Sequence, residues 1–439
     1  MAGIFKAYDI RGIYGDTITD EITYDISRAF ATFLKCRKVI VGRDMRPHSE
    51  PLFAALARGL TELGADVIDL GQCSTPMSYY ANGLLGGDAG IMITASHNPG
   101  EWNGLKMSRA LAVPVSGATG IADIEEIVEK GTFDPPAEKP GQVSTYKIIP
   151  EYKKHVATHA HLARPVKIAA DMANSMGILE AEALEGLVEV DPLFGTLDGT
   201  FPNHEANPLK AETLESLQEK VRSGEYDFGV AFDGDADRAG FVDEKGDIIP
   251  MDLITALVAQ DLLAKEKGVV FYDLRSSWAV KEVIEENGGT PMMSRVGHAF
   301  IKQQMRESDA VFAGELSGHY YFRDNYFAES SSMAVLCVAN IVSQGQAPLS
   351  EIVKPIQRYC ASGEINSRIE DTDAALARLK EKYSDGALAL LDGVSIEYDD
   401  WWFNVRCSNT EPLIRLNLEA KTLGKMAAKR DEVLAEIRR

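Results

Sequence analysis

The sequence is poor in cysteine and has no long apolar run. Among its 439 residues only 5 are cysteines, and no two of them form a CxxC pair. An odd, scattered set of this kind indicates neither a disulfide framework nor a zinc cluster. No stretch approaches the ~18 consecutive apolar residues of a membrane-spanning helix, and the N-terminus lacks a charged-then-apolar signal pattern. These absences predict a soluble protein of a reducing compartment, the cytoplasm.

Basic residues are also scarce. The chain has 45 Lys and Arg against 66 Asp and Glu, which gives a net charge of −21. A surface this acidic repels phosphate backbones and anionic lipids, which argues against broad nucleic-acid binding and against a polybasic membrane anchor. An anionic substrate would require that the few basic residues gather in one place.

The chain is long enough for several domains, since about 150 residues per domain predicts about three. Short β-branched runs alternate with helical patterns, and this rhythm occurs three times. Such alternation predicts parallel sheets covered by helices. The polar, Pro-rich segment Pro135–Gly141 is the first candidate linker. The C-terminal part breaks the rhythm, with strands around Ser395–Val405 and Leu413–Ala420 before a terminal helix, and is more typical of an α+β domain.

An acidic motif follows an apolar strand in the middle of the chain. In Phe232–Arg238 (FDGDADR) the residues Asp233, Asp235 and Asp237 alternate, and alternate residues of an extended segment share one face. Three carboxylates on one face repel one another unless a cation lies among them, and their oxygens suit a hard divalent ion such as Mg²⁺. A solvated acidic turn is the alternative. An EF-hand is not indicated, because Arg238 stands where its loop requires glycine.

A second motif places a serine in a turn after another apolar strand. In Ile91–Ser108 the apolar run ends at Ala95, and Ser96 follows among His, Asn, Pro and Gly. Strand ends carry the chemistry of α/β folds, so Ser96 is a nucleophile, a phosphate ligand or merely a cap. The G-x-S-x-G elbow of a hydrolase is not present. Lys106 is near enough in sequence to face the same site, or is a surface lysine.

Alternating polar residues follow a third apolar run. Gly314–Phe322 (GELSGHYYF) presents Glu315, Ser317 and His319 at alternate positions, a set that suits the hydroxyls of a sugar ring. The alternative is a strand edge with its polar residues outward. His298, in VGHAFIK, precedes a helix and is a cap, a core histidine or a catalyst.

Two further segments have groups that suit phosphate. Arg406–Leu416 (RCSNTEPLIRL) combines a guanidinium, hydroxyls and backbone N–H groups, although an ordinary Ser/Thr-rich turn has the same composition. It is not a P-loop, because GxxxxGK[ST] is missing. Near the N-terminus, AYDIRG places Tyr8 and Arg11 on a short segment that could reach a phosphate.

Taken together and in this order, FKAYDIRG, TASHNP, DGDADR, GELSGH and RCSNTEP resemble the motifs of the α-D-phosphohexomutase superfamily. The resemblance spans nearly the whole chain. It implies three related mixed α/β domains and a smaller C-terminal α+β domain around a central cleft. We accordingly expect a phosphoserine domain at 1–141, a metal-loop domain at 142–246, a sugar-loop domain at 247–358 and a phosphate-loop domain at 359–439.

The resemblance also implies a mechanism. Phosphorylated Ser96 would convert a hexose 1-phosphate into a hexose 1,6-bisphosphate, which turns over in the cleft and returns its 1-phosphate to the serine. Mg²⁺ would be required, with hexose 1,6-bisphosphate as activator. The implied catalytic residues are Ser96, Lys106, Arg11, His298 and Arg238. The implied metal ligands are phosphorylated Ser96, Asp233, Asp235 and Asp237. The implied substrate-binding residues are Tyr8, His97, Asn98, Arg275, Gly297, Glu315, Ser317, His319, Arg406, Ser408, Asn409, Thr410 and Arg415.

Two of these arginines depart from the family pattern. Arg275 stands where some members have lysine, and a guanidinium is a wider, flatter donor than an ammonium group. Arg415 lies two residues before the position at which some relatives carry their second arginine.

The sugar loop indicates the subfamily. GELSGH is similar to the GEMSGH of the phosphomannomutase/phosphoglucomutase group, whereas glucosamine-phosphate enzymes usually have GEQSGH and dedicated phosphoglucomutases tend toward GEESAG. We therefore expect an isomerase of carbohydrate metabolism that acts on mannose or glucose phosphates as a monomer or homodimer, without nucleic-acid or membrane partners. The alternatives are a phosphoglucosamine mutase, a phosphatase and a non-catalytic sugar-phosphate-binding homologue.

Overall fold

Four β-sheets follow one another along the chain, each built from its own stretch of sequence. The computed structural model describes residues 3–407 and 413–439. Within these ranges the sheets have six, five, five and six strands. Helices cover the first three sheets, and the fourth sheet is antiparallel, so the predicted three α/β units and C-terminal α+β unit are confirmed.

Strands and helices alternate through the first two units. The first unit contains β1 (Ile10–Ile13), α1 (Asp20–Leu34), β2 (Lys38–Arg43), α2 (Ser49–Glu62), β3 (Asp66–Gln72), α3 (Thr75–Leu84), β4 (Ala89–Ile93), β5 (Trp102–Arg109), α4 (Ile121–Lys130) and β6 (Val143–Thr145). The second contains α5 (Ile149–Ala157), β7 (Lys167–Asp171), α6 (Gly177–Ala183), β8 (Glu189–Leu193), α7 (Glu215–Ser223), β9 (Phe228–Phe232), β10 (Ala239–Val242) and β11 (Ile248–Ile249).

The third unit contains α8 (Met251–Lys265), β12 (Val269–Asp273), α9 (Trp278–Glu286), β13 (Thr290–Ser294), α10 (His298–Ser308), β14 (Phe312–Gly314), β15 (Tyr320–Phe322), β16 (Ala328–Glu329), α11 (Ser331–Gln344) and α12 (Leu349–Val353). The fourth contains β17 (Cys360–Ala361), β18 (Ile365–Arg368), α13 (Thr372–Lys382), β19 (Ala387–Ala389), β20 (Val394–Glu397), β21 (Trp401–Cys407), β22 (Leu413–Ala420) and α14 (Leu423–Ile437).

The first three sheets share one topology. The second sheet begins with three parallel strands, in the order β8-β7-β9, and continues with the antiparallel strands β10 and β11. The third sheet has the same arrangement, with the parallel strands β13-β12-β14 and then the antiparallel strands β15 and β16. The first sheet repeats this order as β3-β2-β4-β5, with β1 in the outer place and β6 added beside β3. The rhythm read from the sequence is therefore a repeated fold.

The repeat places three loops at equivalent positions. In each unit the third parallel strand ends, the chain turns, and the first antiparallel strand begins. Strands β4 and β9 are buried along their whole length, which is why their sequences are unbroken apolar runs that end in polar loops. The β4–β5 loop carries Ser96, the β9–β10 loop carries the three aspartates, and the β14–β15 loop carries Glu315.

Two local predictions need correction. The region Ser395–Val405 forms two strands, β20 and β21, because the chain turns between Glu397 and Trp401. The segment that follows the predicted linker, β6, pairs with β3 of the first sheet, so the predicted boundary at residue 141 lies within the sequence of that sheet. The terminal helix occurs as predicted, and β10 and β11 form an antiparallel hairpin.

All five cysteines are free thiols, and three of them are buried. In the described part of the chain, none of the helices combines the length and the apolar character that crossing a membrane requires.

Candidate active site

Ser96 lies in the turn between β4 and β5. Its φ of 52° is a left-handed conformation, which costs a residue other than glycine about 1 kcal/mol or more. Its amide donates to Oγ1 of Thr94 at 3.0 Å, and its hydroxyl lies 3.0 Å from Oδ2 of Asp233 and 3.1 Å from Nδ1 of His97. The turn therefore directs a buried hydroxyl toward the acidic loop of the second unit.

A buried arginine holds the serine loop in place. The guanidinium group of Arg46 donates to four backbone carbonyls of the loop, those of Ser96 (2.9 Å), Asn98 (2.6 Å), Pro99 (2.5 Å) and Trp102 (3.0 Å). Asp44 pairs with the same guanidinium at 3.0 Å, and both side chains are completely buried. Because these bonds are charge-assisted and shielded from water, they fix the loop more firmly than neutral surface bonds would.

Three carboxylates gather in the turn between β9 and β10. Ligand oxygens of Asp233, Asp235 and Asp237 lie within 4.8 Å of one another, and all three residues are buried. The predicted extended backbone is wrong here, because β9 ends at Phe232 and Ala236 has a φ of 59°. A turn, and not strand alternation, brings the three aspartates together.

Lys106, on β5 of the first unit, balances part of this charge. Its Nζ lies 2.5 Å from Oδ2 of Asp235 and 2.5 Å from Oδ2 of Asp237. Within the described ranges, the buried Oδ1 of Asp235 accepts no hydrogen bond, and that of Asp237 has only a 3.4 Å contact with Nε2 of His319. Buried carboxylate oxygens that lack donors and crowd together are the ligands of a hard divalent cation. The residues present therefore fit a magnesium ion.

The β14–β15 loop reaches the same place from the third unit. The backbones of Arg238 and His319 form an antiparallel bridge, which joins this loop to the acidic loop. Oγ of Ser317 lies 2.8 Å from Nδ1 of His319, and Oε1 of Glu315 accepts from the amide of Gly297 at 3.1 Å. The predicted set Glu315, Ser317 and His319 is thus brought together, although by a tight turn rather than along a strand.

The N-terminal segment and α10 cover the opposite side. Arg11, on β1, donates from Nη1 to Oδ1 of Asn98 at 2.7 Å and from Nε to Oδ2 of Asp9 at 2.8 Å. The ring of Tyr8 packs 5.2 Å from that of His298, the first residue of α10.

A cavity of about 630 Å³ lies where the first three units meet. This is the usual size of a small-molecule site, roughly 300–1,000 Å³. The predicted site residues in its lining are Tyr8, Arg11, His97, Asn98, Lys106, Asp237, Arg238, His298 and His319.

Burial and neighbouring charges set the protonation of these groups. Burial and the nearby lysines lower the pKa of His298 well below its usual value, and burial and the nearby arginines do the same to the pKa of His97. Burial alone would lower the pKa of Lys106, but the carboxylates of Asp235 and Asp237 outweigh it and raise that pKa well above its usual value. At neutral pH the imidazoles of His97 and His298 are therefore neutral, and Lys106 is an ammonium group.

Three predicted phosphate ligands surround a single carboxylate between the third and fourth units. Oε2 of Glu364 lies 2.8 Å from Nη2 of Arg406 and 3.7 Å from Nη1 of Arg275, and its Oε1 lies 3.5 Å from Nη1 of Arg415. The structure thus brings together both arginines that depart from the family pattern. The predicted ligands outside the described residues are Ser408, Asn409 and Thr410.

The residues that support the site were missed from sequence. They are Asp9, Arg46, Asp273, Tyr321 and Glu364. Asp273 could have been predicted, since it is the last residue of the apolar run VVFYD and therefore lies at a strand end. It accepts from the amide of Leu316 at 2.8 Å and pairs with Arg275 at 2.6 Å. No sequence feature indicated Glu364, because its partners are distant in sequence.

Comparison with known proteins agrees with this architecture. The chain matches the phosphoglucomutase/phosphomannomutase family in all its parts: alpha/beta/alpha domain I at residues 2–135, domain II at 150–246, domain III at 250–359 and the C-terminal domain at 364–436. The chain belongs to this family. The predicted superfamily, fold class and enzyme class, a mutase, are therefore confirmed.

Several similar members of the family are phosphomannomutases. Phosphomannomutase from Escherichia coli is 40% identical over 448 residues, which cover 98% of each chain. Phosphomannomutase from Methanocaldococcus jannaschii is 40% identical and covers 98% of this chain and 96% of its own. A solved phosphoglucomutase/phosphomannomutase family protein from Burkholderia thailandensis superposes with a TM-score of 0.91 at 31% identity, over 99% of this chain and 97% of its own.

Proposed function

We propose that this phosphohexomutase interconverts hexose 1-phosphates and hexose 6-phosphates of mannose and glucose, through a phosphorylated Ser96 and a hexose 1,6-bisphosphate. One observation carries the proposal. The buried hydroxyl of Ser96 lies 3.0 Å from a carboxylate of a cluster that fits magnesium, beside a cavity of sugar size lined with cations. The full-length likeness to phosphomannomutases supports the choice of substrate.

The proposed reaction has two phosphoryl transfers. In the first, the bond from phosphorus to Oγ of Ser96 breaks, a bond to O6 of the hexose 1-phosphate forms, the proton of that hydroxyl passes to a base, and Oγ takes up a proton from an acid. The bisphosphate then reverses its orientation. In the second, the bond from phosphorus to O1 breaks and O1 takes up a proton, while the hydroxyl of Ser96 gives up its proton and its bond from Oγ to phosphorus forms again; this leaves hexose 6-phosphate and the phosphorylated enzyme.

The protein's part is positioning and charge neutralisation, as in other phosphoryl transfers. Asp233, Asp235 and Asp237, with the phosphate on Ser96, would hold magnesium, which supplies charge neutralisation at the transferring phosphoryl group. Arg238 lies beside this cluster, with its Nε 3.8 Å from Oδ2 of Asp233, and adds positive charge.

Proton transfer falls to the groups that line the cavity. His298 is a neutral imidazole at neutral pH, because burial lowers its pKa, and it can accept a proton. Lys106 is an ammonium group and can donate one. We assign Arg11 to charge neutralisation rather than proton transfer, because a guanidinium group does not deprotonate in proteins.

The remaining predicted residues would bind the substrate. Glu315 and Ser317 would accept and donate hydrogen bonds to sugar hydroxyls, as their paired positions on one turn allow. Arg275, Arg406 and Arg415 would bind the phosphate that does not react, since a guanidinium fork matches phosphate oxygens. The acidic surface then presents no barrier to an anionic substrate, because the cations concentrate at the cavity.

One assay tests the proposal. The enzyme is incubated separately with mannose 1-phosphate, glucose 1-phosphate and glucosamine 1-phosphate, each with Mg²⁺ and a trace of glucose 1,6-bisphosphate. We expect 6-phosphates from the first two with little free phosphate. Equal or greater turnover of glucosamine 1-phosphate would identify a phosphoglucosamine mutase, and phosphate release without isomerisation would identify a phosphatase.

The serine is tested by substitution. Ser96→Ala removes the phosphoryl acceptor without adding bulk, so we expect turnover to fall at least about a thousandfold. Thr94→Ser is the matched control, because it keeps the hydroxyl that accepts from the amide of Ser96, and it should retain activity. A normal rate for Ser96→Ala would refute the phosphoserine mechanism.

A further inference from the structure

Glu364 occupies the centre of an arginine cluster that two units build together. Arg406 and Arg415 face each other across β21 and β22, and Glu364 precedes β18, whose first residue, Ile365, pairs with Leu416 of β22. These three side chains are therefore fixed by the ladder of one sheet. Arg275 reaches the same carboxylate from the third unit, at 3.7 Å.

The cluster is largely buried, and Glu364 is the carboxylate that its three arginines share. The side chains of Arg275 and Arg406 are 8% and 10% exposed, and that of Glu364 is 25% exposed. Nδ2 of Asn417 also lies 3.5 Å from Oε2 of Glu364. Burial alone would raise the pKa of Glu364, but Arg406 and Arg275 outweigh it and lower that pKa, so the group is a carboxylate at neutral pH.

Carboxylate and phosphate compete for the same donors. Both present a flat pair of oxygens to a guanidinium fork, and a phosphate dianion carries the larger charge. Three guanidinium groups without a counter-ion would bind a phosphate dianion tightly. Among the described residues of this cluster, Glu364 and Asp273, which pairs with Arg275 at 2.6 Å, leave a single excess positive charge.

We propose that Glu364 is a built-in competitor for the phosphate subsite: it holds Arg406 and Arg415 when no phosphate is bound, and it returns to them each time the phosphate leaves. This rests on the proposed function, in which the bisphosphate must leave the subsite, reverse and enter it again by its other phosphate. Competition from Glu364 lowers the affinity of the arginines for phosphate, so the phosphate dissociates fast enough for that reversal. Glu364 is in this sense a positioning and release residue.

The test measures phosphate binding apart from turnover. The dissociation constant of inorganic phosphate is measured by isothermal titration calorimetry for the wild-type enzyme and for Glu364→Gln, which keeps the shape and removes the charge. We expect about tenfold tighter binding in the variant, since one opposing charge is removed from a partly buried site. Glu381→Gln removes the same charge from an exposed position on α13 and should bind phosphate as the wild type does.

A second variant covers the case in which Glu364→Gln does not fold. Glu364→Asp keeps the charge but withdraws the carboxylate by one methylene, so we expect an intermediate gain in phosphate affinity. Phosphate should also raise the unfolding temperature of either variant more than that of the wild type, because tighter binding at a given ligand concentration stabilises the folded state more. Unchanged or weaker phosphate binding in a folded variant would overturn the proposal.

Turnover separates this proposal from the proposed function. With glucose 1-phosphate, Glu364→Gln should lower both KM and kcat, since tighter binding slows release. If the wild-type enzyme isomerises no hexose phosphate, the proposed function fails, while the calorimetric difference still decides the role of Glu364. If KM rises in the variant, Glu364 organises the arginines and does not compete with phosphate.

Discussion

The ammonium group of Lys106 lies 2.5 Å from Oδ2 of Asp235, across the boundary between the first two α/β units. A second oxygen, Oδ2 of Asp237, lies at the same distance. The lysine thus contacts two of the three carboxylates that fit a magnesium ion, so an ion and the ammonium group share ligands. The affinity of the three aspartates for magnesium should therefore depend on the position of the Lys106 side chain.

Lys106→Met should therefore bind Mg²⁺ more tightly while losing activity. Removal of the ammonium group leaves the aspartates without their buried cation, so they should attract Mg²⁺ more strongly. When the unfolding temperature is measured against Mg²⁺ concentration, we expect the concentration that gives half of the maximal rise to fall about tenfold. Turnover should fall about a hundredfold or more, as it does when a proton-transfer group is lost. Lys130→Met, which removes an exposed lysine paired with Glu126, is the control. A magnesium dependence identical to that of the wild type would contradict the prediction.

Arg46→Lys should slow turnover without weakening substrate binding. An ammonium group has three donors and cannot bond all four carbonyls, so the loop around Ser96 loses its fixed geometry, and we expect kcat to fall about tenfold with KM within about twofold of the wild type. Arg43→Lys is the matched control from the end of β2, because the carboxylates with which Arg43 pairs, those of Asp69 and Glu50, lie outside the loop around Ser96. The prediction fails if KM rises and kcat is unchanged.

Much of this architecture could be predicted because it depends on local pattern. The apolar runs that end at Ala95 and Phe232 predicted buried strands, and the polar residues after them predicted loops with chemistry, since short apolar runs bounded by turn residues are typical of strands buried in parallel sheets. The conformation within the loops was not predictable in the same way. Ser96 and Ala236 adopt a positive φ that side-chain periodicity does not reveal, and so the aspartates cluster by a turn rather than by alternation.

The supporting residues depend on tertiary contacts. Arg46 meets the carbonyl of Trp102, and Glu364 meets Arg275 in another unit, although nothing in the sequence near either residue indicates the partner. A buried charge is tolerated only where the fold supplies its counter-charge, and that pairing is set when the units assemble. Motifs therefore located the groups of the candidate site, and the structure was needed to locate the groups that hold them in place.

Glu180→Ala should destabilise the junction of the first three units. The carboxylate of Glu180, on α6, is completely buried and accepts from the hydroxyls of Ser74, Tyr152 and Ser332, which come from all three units. Alanine would remove the carboxylate that accepts from all three buried hydroxyls. Of the groups that the structure describes, Ser332 would keep only the backbone carbonyl of residue 180 and Tyr152 only the hydroxyl of Ser330, so we expect a loss of about 3 kcal/mol in the free energy of unfolding in urea.

Two further variants set limits on the size of this destabilisation. Glu180→Gln keeps an acceptor oxygen and the volume, and should lose only about 1 kcal/mol. Glu185→Ala removes an exposed glutamate that pairs with Lys153, and its unfolding should match that of the wild type. Equal losses for Glu180→Ala and Glu185→Ala would show that the buried carboxylate does not hold the units together.

His155 should make the enzyme less stable as the pH falls below about 6.5. Its imidazole stacks on the ring of Tyr80, with centroids 4.3 Å apart, and burial together with the neighbouring His159 lowers its pKa to about 4. Because the unfolded chain takes up this proton at a higher pH than the folded chain, acid favours unfolding between these two pKa values.

His155→Phe keeps the stacked ring and removes the titration. The variant should therefore gain stability relative to the wild type by about 2 kcal/mol between pH 7 and pH 4, with allowance for partial exposure. Thermal unfolding of both proteins at pH 8, 6 and 5 checks this, and a difference that does not grow as the pH falls would assign the acid sensitivity to other groups.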